Sequence, residues 1–153
     1  MRKVELAAAL SREGFNCAQA VIGAYGPELG LSRDLAMGVA AGFGGGLGRT
    51  AGVCGAVSGA VMALGLRHGA RAGADTDTKE RAYALTKEFL ARFTARHGTV
   101  RCRELLGVDI GTPEGLARAR AEGMFKTLCP DFIRTAAELL EEMLERGGEA
   151  VNG

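Results

Sequence analysis

The chain has 153 residues, of which 24 are Gly and 26 Ala, with 19 Lys plus Arg against 18 Asp plus Glu. With only 3 Pro and no G-x-y period, the small residues exclude collagen; 47% apolar residues at a net charge of +1 exclude disorder. Balanced charge leaves no global field for nucleic acid, and the length suits one domain, with a core over about 4–146 and a frayed tail over 147–153.

The elements follow from helix punctuation. Val4 to Ser11 is a short helix ending near Gly14. Asn16 is placed to cap a helix from Cys17 to about Tyr25, stopped by Gly26 and Pro27. Ser32 caps a third helix that reaches about Phe43 and is broken by Gly44-Gly45-Gly46. A fourth, rich in Gly and Ala, runs from about Val53 to His68. Thr76 or Asp77 opens the strongest helix, where Ala82, Leu85, Phe89 and Phe93 recur at steps of three and four until Gly98. Val100 to Leu106 is short, and Thr112-Pro113-Glu114 starts a helix to Ala121. The last begins at Pro130, with Phe132, Ile133, Ala136, Leu140, Met143 and Leu144 on one face. The expected fold is an all-α, single-domain bundle of six or seven helices with the Gly/Ala-rich helix at its centre.

Two features bear on location. Met1-Arg2-Lys3 is followed at once by Glu5 and lacks the apolar stretch of a secretory signal. Thr50 to Leu66 is 17 residues without a charge, the low end for a spanning helix, but its small residues suit a buried central helix and no other segment could join it in a bilayer. The expectation is a cytoplasmic protein without membrane insertion. Structural disulfides are then disfavoured, so Cys17, Cys54, Cys102 and Cys129 are core fillers, reactive thiols or metal ligands.

Each cysteine falls at or near an expected helix N-terminus, where unpaired N–H groups and the helix dipole favour thiolate and bound anions. Intervals of 37, 48 and 27 residues contain no C-x-x-C pair, which disfavours zinc ribbons and bacterial ferredoxins. Any shared site is assembled from four separate helices.

Nine glycines crowd residues 38–59. Gly44-Gly45-Gly46-Leu47-Gly48-Arg49-Thr50 misses the phosphate-loop spacing, and no strand precedes the looser dinucleotide match. A better use is close backbone approach: Gly55 and Gly59 share a helix face, Gly44 to Gly46 can form an anion-binding nest, and Arg49 adds a cation five residues before Cys54. A tight helix crossing with no ligand is the plain alternative. On the ligand reading, Gly45→Val or Gly55→Val removes a cofactor before it unfolds the chain.

Phe15-Asn16-Cys17-Ala18-Gln19, the run Gly42 to Thr50, and Cys54-Gly55-Ala56-Val57-Ser58-Gly59 together resemble the C_GCAxxG_C_C family of redox-active proteins. Cys17, Cys102 and Cys129 match its other three cysteines. The resemblance implies a redox role and an iron–sulfur or other metal group. Cys17, Cys54, Cys102 and Cys129 are then its ligands, with Gly44, Gly45, Gly46, Arg49, Gly55 and Gly59 beside it. The cluster has two irons or four, and the role is electron transfer with a redox partner protein or oxidoreductase; a homodimer is compatible. The alternatives are a metal-free thiol–disulfide protein and a zinc-stabilised module.

His68 and His97 read as surface residues at helix ends, and Arg92, Arg96, Arg101 and Arg103 as a solvated basic face, where an acidic electron partner would dock. No Ser/His/Asp set, recognisable carboxylate pair or H-E-x-x-H motif supports a hydrolase.

Overall fold

Capping chemistry sets the element order of this computed structural model, which describes residues 2–152, with side chains described from Arg2 to Glu145. The helices are α1 (Lys3–Arg12), α2 (Cys17–Tyr25), α3 (Arg33–Ala40), the short α4 (Gly44–Leu47), α5 (Gly55–His68), α6 (Thr76–His97), α7 (Cys102–Leu106), α8 (Pro113–Ala121), α9 (Met124–Thr127) and α10 (Cys129–Asn152). The all-α class holds: among the described residues, extended pairing is limited to one antiparallel bridge, Val53 with Arg101. Among the described residues, eight helices have five residues or more, against the six or seven expected. The short ones, such as the five-residue α7, last barely one turn, too briefly for periodicity to register them. Helix α10 continues through Asn152, over the expected tail, and Gly153 lies outside the described residues.

The caps act as their residue types require. Ser32, Asp75 and Thr112 each accept an N–H three residues on, from Leu35, Thr78 and Gly115. Helix α5 is central, packing against α2, α6 and α10, and buries Ala56, Val57, Gly59, Ala60, Ala63 and Leu64. Phe89 and Phe93 of α6 are fully buried, each contributing roughly 1.5–3 kcal/mol of apolar burial. The α2–α5 crossing is set by Gly59: a Cβ there would lie 2.8 Å from the Ala18 carbonyl oxygen and 3.0 Å from the Val21 Cβ.

Two surface expectations are overturned, those for His68 and His97, while the basic stretch does largely face solvent. His68 is buried and its Nε2 lacks a hydrogen-bond partner; burial, then Arg81 and Arg67, push its pKa down and favour the neutral ring. His97 is half-buried, 2.8 Å through Nε2 from the Thr135 hydroxyl and edge-on to Phe132. The basic stretch is internally neutralised: Arg92 pairs with Glu88 and Glu142, Arg96 with Glu138, Arg101 with Glu104, and Arg103 with Asp109.

Candidate functional site

The four cysteines, far apart in sequence, are delivered to one cavity by four separate helix starts. Cys17 opens α2 behind a capping box, in which Asn16 Oδ1 accepts the Gln19 N–H at 2.9 Å and Gln19 Oε1 accepts the Asn16 N–H at 3.0 Å. The Asn16 side chain also donates to the Ala41 carbonyl at 3.1 Å, tying this start to the end of α3. Cys54 is the N-cap of α5, Cys102 the first residue of α7 and Cys129 the first of α10. The Val53–Arg101 bridge brings two of these starts together. The Cys54 N–H donates to the Val100 carbonyl at 2.8 Å and the Cys102 N–H to the Gly52 carbonyl at 2.7 Å.

Gly55 sets a third approach. A Cβ there would lie 3.0 Å from the Ala18 nitrogen, 3.1 Å from the Phe43 carbonyl oxygen and 3.2 Å from the Cys17 Cβ. The Cys54–Gly55 start thus lies directly against the Cys17–Ala18 start. The close approach expected of a cofactor is made by protein. Gly55→Val would push the two cysteine-bearing starts apart, so fold and site fail together, contrary to the expected separation. The same holds at Gly44, where a Cβ would lie 2.7 Å from Asn16, and at Gly45, where it would meet Arg49 at 2.7 Å.

The glycine run has a further conformational cause. Gly45, Gly46, Leu47, Gly48 and Arg49 are five consecutive residues with positive φ, between 60° and 74°, and Ala51 follows at 60°. This is more than one turn of left-handed helix, a conformation that costs non-glycine residues about 1–2 kcal/mol each. Glycine at three of the five removes most of that penalty; Leu47 and Arg49 retain it. The turn is held by bonds from Ala51 N to the Gly45 carbonyl and from Gly52 N to the Gly46 carbonyl, at 3.0 and 2.9 Å.

The resulting cavity has a volume of about 630 Å³. Cys17, Cys54, Cys102 and Cys129 all line it, as do Gly44, Gly45, Gly46, Arg49 and Gly55. Gly59 does not; it serves the α2–α5 crossing. Arg120 and Lys126 join Arg49 on the wall. Nothing in their helical context distinguishes these two from ordinary surface charges, so sequence reasoning passed over them. The bridge left a fainter signal, the β-branched Val53 and the Thr99-Val100 pair just before two of the cysteines.

Three of the four thiols are raised, and at Cys54 burial outweighs the helix N–H groups. Cys54 is pushed up to about 11 by burial, partly offset by the N–H groups of Ala56 and Val57. Cys102 is pushed up to about 12 by burial and then by Cys54, Cys129 and Asp109. Cys17 is raised by its neighbour Cys129, by burial and by the other cysteines. Cys129 is lowered by its neighbour Cys17, against the pull of burial. A thiol with a lowered pKa becomes thiolate at lower pH. In metal-free, reduced protein at pH 8, Cys129 is therefore expected to react with iodoacetamide before Cys54 and Cys102, as read by peptide mass spectrometry.

The donor set tests which metal groups fit. Among the described residues, no three His, Cys, Asp or Glu side chains are grouped to hold one metal ion. A tetrahedral zinc site needs its sulfurs about 2.3 Å from a single point. A cluster spreads its ligands over several irons and needs four thiolates around a common space. All four cysteines line the one cavity, so each has access to a common space.

Among the described residues, no helix is long and apolar enough to cross a membrane. Neither a curated protein nor a solved structure matches the chain. A family profile described as "Putative redox-active protein (C_GCAxxG_C_C)" matches residues 15–143. With four cysteines gathered on one cavity and that match spanning most of its length, the chain belongs to the C_GCAxxG_C_C family of redox-active proteins.

Proposed function

We propose that this chain is an electron-transfer protein holding an iron–sulfur cluster, of two irons or four, through Cys17, Cys54, Cys102 and Cys129. The observation that carries this reading is the convergence of all four thiols on one cavity. Four thiolates crowded together repel one another, as the raising of Cys17 by Cys54, Cys129 and Cys102, and of Cys102 by Cys54 and Cys129, illustrates. Cations at the centre of the set relieve that repulsion. Bound there, the cluster would supply a one-electron couple. The chain's own part is to hold the sulfurs in place, to bring Arg49 and the starts of α2, α5 and α10 to bear on the negative charge, and to limit water with Phe125 and Phe132.

A second reading has one specific observation in its favour. The pKa of Cys17 is raised and that of Cys129 lowered, each chiefly by the other, the relation expected between a resolving and an attacking cysteine in a metal-free thiol–disulfide couple. A zinc-stabilised module is the third reading; the absence of a compact three-ligand group among the described residues bears equally on it and on the cluster.

Metal and sulfide analysis of anaerobically purified protein separates the three. Iron with matching sulfide supports the cluster. Zinc alone supports the structural module. Absence of metal, together with reversible loss of two thiols per chain on oxidation, supports the dithiol couple.

A further inference from the structure

The walls of the cysteine cavity are unbalanced in charge. Arg49, Arg120 and Lys126 line it, and no Asp or Glu does among the described residues. None of the three cations makes an ion pair with a described residue. Two carboxylates flanking the lining residues are already engaged elsewhere, Glu122 by Arg118 at 2.6 Å and Asp109 by Arg103 at 3.4 Å. The cavity's volume of about 630 Å³ falls within the usual range of small-molecule pockets, roughly 300–1,000 Å³. Apolar side chains, among them Phe15, Leu105 and Ile110, share the wall with the cations. Clefts with one sign of charge and apolar walls concentrate ligands of the opposite sign.

We propose that this cavity is an anion-selective chamber, which admits a small carboxylate-bearing molecule past Arg49, Arg120 and Lys126 to the cysteine sulfurs. The inference rests on the cavity being the redox site, and it holds for either form of the sulfur centre. It moves the charge that meets a partner away from the Arg92–Arg103 stretch, whose arginines are internally paired, to the cavity itself.

The test uses two alkylating probes of similar size and unlike charge, iodoacetate and iodoacetamide, on full-length, metal-free, reduced protein. Both attack the same thiolate, so their rate ratio at a given cysteine cancels its protonation state. The ratio at half-buried Cys17 and Cys129 is compared with that of an unstructured cysteine peptide. At low salt it should exceed the peptide's by about ten-fold, and it should fall toward the peptide's value at 1 M salt, where the Debye length is about 3 Å. Arg49→Gln, Arg120→Gln and Lys126→Gln combined should remove the excess while helical circular dichroism is unchanged. If that triple variant does not fold, the single substitutions at exposed Arg120 and Lys126 should each lower the ratio.

A ratio equal to the peptide's, or one indifferent to these variants, overturns the proposal. So does failure of both reagents to reach any cysteine, which would mean the cavity is closed. Iron content, measured separately on the wild-type protein, keeps the failures distinct: selectivity without iron defeats the cluster and leaves the chamber, whereas iron without selectivity does the reverse.

Discussion

Each of the four substitutions Cys17→Ser, Cys54→Ser, Cys102→Ser and Cys129→Ser is expected to lower the iron retained after anaerobic reconstitution by at least about ten-fold, the usual minimum cost of disturbing a metal centre. Serine matches cysteine in shape but is a poor ligand for cluster iron. The pattern across the set matters more than any one member. The cluster requires all four thiolates, so all four variants should fail together. The dithiol couple requires only Cys17 and Cys129, whose pKa values are shifted in opposite directions chiefly by each other. Normal reversible oxidation in the Cys54→Ser and Cys102→Ser proteins, with no iron in any variant, would favour the couple. The variants should fold, since a cysteine contributes to packing as a small apolar group; thermal unfolding checks this.

The second large effect is on stability. Gly46→Ala should destabilise the protein by about 3 kcal/mol, seen as a fall in Tm of roughly 6–12 °C. Two causes add. Gly46 has φ +69°, which alone costs alanine about 1–2 kcal/mol. The new Cβ would also strike the backbone of Ala51 and Gly52, which cannot move without disturbing the bonds that align Cys102 and Arg103 with this segment. Gly48→Ala is the control: it shares the left-handed backbone, at φ +60°, but its Cβ would meet nothing within 4 Å. It should cost only about 1–2 kcal/mol. Equal losses at the two sites would show that backbone conformation alone matters and that the packing of the turn against Gly52 does not.

Much of the scaffold was legible in the sequence because its signals are local. Asn16, Ser32 and Thr112 cap helices through side chains that reach three residues ahead, and Phe89 and Phe93 report one helical face by their spacing. Even the placement of all four cysteines at helix starts follows from flanking caps and Pro130. The cavity was not legible in the same way, because each of its determinants is a contact between distant segments. The Val53–Arg101 bridge joins residues 48 positions apart and is too short to give a strand pattern. The left-handed run from Gly45 to Arg49 includes Leu47 and Arg49, whose side chains argue against that conformation.

The electrostatic expectation shows the same limit. A helix start does favour thiolate, but the term is small beside desolvation once a cysteine is buried, and burial is a property of the assembled fold. Hence Cys54 is pushed up to about 11 despite the N–H groups of Ala56 and Val57. His68 failed as a surface residue for a related reason: the core reaches the last turn of α5, where sequence position suggested solvent.

The central claim is that four thiols on one cavity serve one iron–sulfur centre. Anaerobic reconstitution of the full chain with iron and sulfide, followed by quantitation of both and by visible absorption, tests it most directly. The account predicts two or four irons per chain, equal sulfide, and sulfur-to-iron charge-transfer bands that bleach on reduction. A colourless protein with neither iron nor sulfide after that treatment would contradict it.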